Sequence, residues 1–162
     1  MKTVIFVRHG KSSWDYSVGD KDRPLKERGI NDAHLMAQQL KSLGVSIDFA
    51  FSSPANRALH TGLIFLRSLQ YDFEQFRITD ELYDFSGESV NQFLKSLSDT
   101  ISVVLIFGHN YAFTNLVNMM GDAYLENLPT SGMAILEFNN THWKNIQKGK
   151  TRKLVFPKEL RE

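Results

Sequence analysis

The sequence predicts an α/β fold: a three-layer αβα sandwich around a mostly parallel sheet, one domain over residues 1–162. Three observations point there. Strand-like and helix-like patterns alternate along the chain, which favours parallel pairing through helical crossovers. Val103-Val104-Leu105-Ile106-Phe107 is an unbroken apolar run, as in a central strand buried on both faces. The length is enough for one core burying about 70% of the unfolded surface, with no disulfide or metal staple.

The elements follow in order. Lys2 to Arg8 reads as the first strand. Gly10 to Pro24 is a polar loop, too long for a simple connection and therefore of functional interest. Leu25 to Leu43 reads as a helix with Ile30, Ala33, Ala37 and Leu40 on one side and Gly44 as its stop. Phe49-Ala50-Phe51 is a short strand. Ser53-Pro54 reads as N-cap and first turn of a helix whose inward stripe is Leu59, Leu63, Leu66 and Leu69. A weaker strand covers Arg77 to Tyr83. Val90, Phe93, Leu94 and Leu97 mark a third helix. After the 103–107 strand, a fourth helix turns Ala112, Phe113, Leu116, Val117 and Met120 inward, with Met119 also assigned to the core. Met133 to Phe138 and His142 to Ile146 read as a hairpin about Asn139-Asn140. Arg152 to Glu162 reads as a last short strand and a frayed end.

Composition excludes several functions. The chain has no cysteine, so thiol catalysis and Cys-ligated zinc are out. The net charge of +1 speaks against a broad nucleic-acid footprint. Lys148, Lys150, Arg152 and Lys153 read as a solvated face. No apolar run approaches the ~20 residues that span a bilayer. The N-terminus reads as a strand, not a leader. A cytoplasmic monomer without membrane contact is the expectation.

Three polar clusters follow three strands: Arg8-His9-Gly10, Ser52-Ser53-Pro54-Ala55-Asn56-Arg57 and Gly108-His109-Asn110. Parallel strands bring their carboxyl ends to one edge, where open α/β sheets bind ligands. Two arginines and two histidines around one point suit a phosphoryl dianion, because guanidinium groups bind it bidentately. Helix N-termini after Ser53 and Asn110 add amide donors. Neighbouring cations disfavour imidazolium, so His9 keeps a lone pair near neutral pH and is able to attack phosphorus. Its other nitrogen then needs an acceptor, for which a backbone carbonyl in the Gly10 loop is placed. Gly10 lets the backbone come close. Arg8, Arg57 and His109 would stabilise the transferring group. Ser52 and Asn110 are further candidate substrate-binding groups.

These motifs resemble those of the histidine phosphatase superfamily, with its phosphoglycerate-mutase-like fold. Arg8-His9-Gly10-Lys11-Ser12-Ser13-Trp14-Asp15, then Asp22-Arg23-Pro24-Leu25 with Arg28-Gly29, is similar to the SixA-type phosphohistidine phosphatase branch. Ser52-Ser53-Pro54-Ala55 with Arg57-Ala58 and Thr61 resembles the second arginine motif. Gly108-His109-Asn110 resembles the second histidine motif, and Leu128-Pro129-Thr130-Ser131-Gly132 the closing segment. The resemblance implies that His9 is transiently phosphorylated, that Arg8, Arg57 and His109 hold the phosphate, and that no metal or other cofactor is needed. Larger members use a glutamate after the third strand as general acid. The matching stretch here offers Glu81, Asp84 and Glu88, none in the usual pattern. A phosphohistidine leaving group needs little protonation, which favours a phosphoramidate or activated phosphate.

The reading is a phosphatase acting through phospho-His9 on phosphohistidine in a protein, such as a histidine-containing phosphotransfer domain. The alternatives are a phosphatase for a small phosphorylated metabolite and a phosphate-binding module without turnover. The short stretch between Arg57 and His109 leaves little room for a cap, which favours a protein-borne substrate and disfavours a mutase. Asp15 is assigned to loop order or to Arg23, and Trp14 to packing. Lys11 and Ser12 belong to the pocket or its rim. His34, His60 and His142 are read as boundary residues.

Overall fold

A computed structural model describes residues 1–161. Its strands are β1 (Lys2–Arg8), β2 (Phe49–Ser52), β3 (Phe76–Ile78), β4 (Val103–Gly108), β5 (Met133–Phe138) and β6 (Lys150–Val155). They form one sheet in the order β3-β2-β4-β1-β5-β6. The pairs β1/β4, β2/β4 and β2/β3 are parallel, and β1/β5 and β5/β6 are antiparallel. The predicted mostly parallel sheet with an antiparallel end is therefore observed. The helices are α1 (Glu27–Ser42), α2 (Asn56–Ser68), α3 (Glu88–Lys95), α4 (Ala112–Met120) and α5 (Pro157–Leu160).

The period-2 alternation of β1 divides the core. Val4 and Phe6 pack with the buried residues of α3 and α4. Ile5 and Val7 pack with those of α1 and α2 on the opposite face. All four of these β1 side chains are fully buried. Both faces of the central strands are covered, which explains why β1 and β4 read as continuous apolar runs.

Four local expectations are corrected. The partner of β5 is β6, not His142–Ile146, which forms a 3-10 turn at Trp143–Asn145. Trp143 is fully buried and donates its Nε1–H to the Ile101 carbonyl at 2.8 Å. Filling that slot pulls the chain off the sheet edge. Gly149 then brings it back, since a Cβ there would lie 2.3 Å from the Glu137 carbonyl. The third strand ends at Ile78, not Tyr83: the Thr79 hydroxyl accepts the Glu81 N–H and bends the chain into a 3-10 turn, burying Leu82. In α2 the buried face is Ala58, Thr61, Gly62, Phe65 and Leu66, with Leu59, Leu63 and Leu69 only half-buried. Gly62 allows the helix to lie against the Phe107 ring, and that close approach, not the leucine spacing, sets its rotation. Met120 is buried as expected, but Met119 is 48% exposed.

Candidate functional site

Strands β2, β4 and β1 are neighbours, with Arg8 level with Gly108 and Ser52 level with Phe107. Their carboxyl ends therefore lie side by side, and the three polar clusters meet. A cavity of about 330 Å³ opens there, lined among others by Arg8, His9, Lys11, Asp20, Arg57 and Phe85. A larger depression of about 700 Å³ lies between α1 and α5. It holds an Asp32–Arg161 ion pair and none of its lining residues carries a buried polar atom without a partner, unlike the residues at the smaller cavity.

His9 is 7% exposed. Its Nδ1 lies 2.7 Å from the Gly10 carbonyl oxygen. A carbonyl only accepts, so Nδ1 carries the proton and Nε2 keeps a lone pair. Burial, together with the charges of Arg8 and Arg57 and the nearby His109, holds the His9 pKa well below 6.5 despite the Gly10 bond. The His109 ring centroid is 5.3 Å from that of His9. Burial and then the Arg57 charge lower His109 to about 3, so it too is neutral.

His109 Nε2 lies 2.8 Å from Ser53 Oγ, which also accepts the Ala55 N–H at 3.2 Å. Ser53 can thus give its own proton to Nε2, which places the His109 proton on Nδ1. That Nδ1 is buried and has no protein partner. The same holds for Arg8 Nε, Arg57 Nε and Ser131 Oγ. Orphaned buried donors are costly. Arg8 and Arg57 line the cavity, His109 lies beside His9, and Ser131 is bonded to the Arg8 and His9 backbone; together they suit an anion. Arg8 is otherwise anchored by NH1 to the Leu128 carbonyl at 2.9 Å. Burial, the largest influence, lowers its pKa.

Glycines permit this packing. A Cβ on Gly29, in the first turn of α1, would lie 2.3 Å from the Lys11 carbonyl. The Gly10 N–H donates to Thr61 Oγ1 at 2.9 Å, and Thr61 donates to the Arg57 carbonyl at 2.7 Å. Helix α2 is thereby tied to the loop that carries His9. Ser131, at φ 60°, sends its N–H to the carbonyls of Arg8 and His9.

The structure brings His9, Arg8, Arg57, His109 and Gly10 together as the sequence predicts. It reassigns others. Ser53 is not the cap of α2, whose N-cap is Ala55 without a side-chain bond; it is the partner of His109. Its signal in the sequence is its place one residue beyond β2, beside the end of β4. Ser52 is buried and gives its hydroxyl to the Ser53 carbonyl, so it is spoken for. Asn110 accepts from Thr114 and donates to Asn127, and is a structural brace. Among the proposed acids, Asp84 accepts the N–H groups of Ser86, Gly87 and Val90. These bonds outweigh burial and lower its pKa. Glu81 and Glu88 are exposed, and none of the three lines the cavity. The carboxylate that does is Asp20, which the sequence reading did not single out. Arg23 turns to Asp20, Ser13 and Ser12, not to Asp15. Trp14 is 75% exposed, with the Arg23 guanidinium 3.3 Å from its ring centroid, so it is not a packing residue.

Among the described residues, no three His, Asp or Glu side chains gather as a metal site, and no helix is long and apolar enough to cross a membrane. The family model described as the histidine phosphatase superfamily (branch 1) matches residues 4–92. An uncharacterized protein of Mycobacterium tuberculosis strain H37Rv is 28% identical over 157 residues, covering 88% of this chain and 93% of its own. The structure of the protein histidine phosphatase SixA complexed with tungstate superposes with a TM-score of 0.84 at 24% identity, covering 98% of this chain and 99% of that one. A SixA structure from Agrobacterium tumefaciens gives 0.80 at 25% identity, over 96% and 98% of the two chains.

Proposed function

Because this chain belongs to the histidine phosphatase superfamily, branch 1, we propose that it is a phosphatase working through phospho-His9 and acting on phosphohistidine carried by a protein. The observation that carries the reading is the 2.7 Å contact of His9 Nδ1 with the Gly10 carbonyl. It leaves Nε2 as the nucleophilic nitrogen, beside two arginines and a neutral histidine with open donors. His9 Nε2 attacks phosphorus, and the bond to the leaving group breaks. The Nδ1–H stays on Gly10, so phospho-His9 is cationic at the ring and remains a good leaving group for water. Arg8, Arg57 and the His109 Nδ1–H take the equatorial oxygens, supplying positive charge without a metal.

Two features support a protein substrate. Strand β3, the 8-residue helix α3 and short 3-10 turns fill the stretch between α2 and β4, with no cap domain. Trp14 and Phe85 line the cavity and are 75% and 45% exposed, an apolar rim suited to another protein's surface. The test is hydrolysis of a phosphorylated histidine-containing phosphotransfer domain beside a panel of sugar and nucleotide phosphates. The phosphodomain should be preferred, and His9→Ala should abolish both turnover and an acid-labile phosphoenzyme. Clear preference for one metabolite would transfer the site to a small-molecule phosphatase. Phosphate binding without turnover would make it a binding module.

A further inference from the structure

We propose that Asp20 is the base of the second half-reaction, taking a proton from the water that attacks the phosphoryl group on His9. This rests on the phosphatase reading above and adds a residue to it.

Asp20 is the one carboxylate among the residues lining the cavity. It sits in the 3-10 turn Asp20–Asp22, within the long loop after β1. A single guanidinium joins it to the phosphate position. Arg57 NH1 donates to the Asp20 carbonyl at 2.6 Å, and NH2 donates to Asp20 Oδ2 at 2.9 Å. Arg57 Nε is left without a partner. Arg57 lines the cavity together with His9 and Asp20, so the guanidinium that holds Asp20 also borders an anion placed there. A carboxylate and a phosphoryl group on one guanidinium lie within reach of a shared water.

The carboxylate is also oriented. The Tyr83 hydroxyl donates to Oδ2 at 2.5 Å. Oδ1 has only a long contact, 3.4 Å, with Arg23 NH1, which leaves it a free lone pair. His9 lies at the floor of the cavity, 7% exposed, and the Asp20 side chain is 44% exposed at its mouth. Water must attack in line, on the side of phosphorus away from His9 Nε2, and that is the mouth. Burial alone would raise the Asp20 carboxyl, but the Tyr83 and Arg57 bonds and the Arg57 charge hold it at about 2. It is a carboxylate in the empty site. Arrival of a dianion beside it pushes its proton affinity upward, towards the range of a working base.

The step balances. The water oxygen bonds to phosphorus while the P–Nε2 bond breaks. That electron pair returns to Nε2, leaving His9 neutral with its proton still on Nδ1. The water proton goes to Asp20 Oδ1 and then to solvent, and phosphate departs. In the first half-reaction Asp20 arrives ionised and has no proton to give. A leaving imidazole that carries its own proton needs none, so a base without an acid matches a phosphoramidate better than an alkyl ester.

The test is stopped-flow hydrolysis of p-nitrophenyl phosphate, with acid-labile phosphoryl on the quenched protein measured in parallel. Wild type, Asp20→Asn and Asp20→Glu are compared, and thermal melting confirms that each is folded. Asp20→Asn should release about one nitrophenolate per molecule in a burst at nearly the wild-type rate. Its steady state should then fall roughly 10²–10³-fold, with phospho-His9 accumulating. Asp20→Glu should regain part of the steady rate. Equal slowing of burst and steady state without accumulated phosphoenzyme would overturn the proposal, assigning Asp20 to Arg57 placement alone. Unchanged kinetics would overturn it as well. A wild type that neither turns over nor labels would instead refute the function itself.

Discussion

His9 and His109 make the fold sensitive to acid in a way that can be measured. Both are buried among arginines and held neutral, His9 well below 6.5 and His109 at about 3. In the unfolded chain each returns to about 6.5. A histidine whose folded pKa is depressed stabilises fully above its unfolded value, and loses that contribution as pH falls towards the folded one. For His109 the window runs from 6.5 down to about 3. Between about pH 7 and pH 5, the unfolded state gains about 0.7 proton at position 109 and the folded state gains almost none. The cost is about 2 kcal/mol for His109, and His9 adds to it in the same direction. That is a substantial share of the roughly 5–15 kcal/mol that holds a domain together. The measurement is urea unfolding at the two pH values for wild type and His109→Gln. The wild type should lose about 2 kcal/mol more than the variant. His60 and the other titrating groups contribute to both proteins and cancel in the difference. Equal losses would show that His109 is protonated or solvated in the native state, and the electrostatic account of the site would fail with it.

Four other substitutions test the packing around and away from the site. Gly29→Ala gains about 1 kcal/mol of helix propensity but places a Cβ 2.3 Å from the Lys11 carbonyl. The net should be a loss of about 1–3 kcal/mol, seen as a lower Tm together with a lower kcat/KM. Gly19→Ala, whose Cβ meets nothing within 4 Å, should stay within about 0.5 kcal/mol of wild type. Ser53→Ala removes the partner of His109 Nε2. It should cost about 1–3 kcal/mol and weaken inhibition by inorganic phosphate, because the His109 proton is no longer held on Nδ1. Asp32 is 3% exposed and binds Arg161 at 2.9 and 2.6 Å. Asp32→Ala should loosen α5, detected as faster hydrogen exchange or proteolysis near residues 157–161, with phosphatase activity unchanged.

The parts legible from sequence were those that a local pattern carries. The apolar runs of β1 and β4 announce central strands because both faces are covered. The polar residues immediately after β1, β2 and β4 then converge by topology alone. That a backbone carbonyl in the Gly10 loop meets the His9 ring was legible too; that it is the Gly10 carbonyl comes from the structure. The parts that were not legible depend on which long-range contact prevails. Trp143 reads as part of a strand until the Ile101 carbonyl claims its indole N–H. Ser53 reads as a cap because Ser-Pro before a helix usually is one, yet the nearby imidazole of His109 binds its hydroxyl.

Asp20 was hidden for a further reason. The acidic residues after the third strand, where the family resemblance places a general acid, are Glu81, Asp84 and Glu88. Asp84 is consumed by backbone N–H groups, and the 3-10 turn at Asp80–Leu82 leaves Glu81 exposed. What that segment contributes to the site is Tyr83, whose hydroxyl reaches Asp20. The carboxylate itself comes from the loop after β1, across the cavity. The long polar stretch from Gly10 to Pro24 was the visible sign, but no periodicity tells which of Asp15, Asp20 and Asp22 turns inward. That choice is made by Arg57, a buried cation whose terminal nitrogens need an acceptor. Burial of Arg57 therefore selects Asp20 over Asp15 and Asp22, since both terminal nitrogens are met by that one residue.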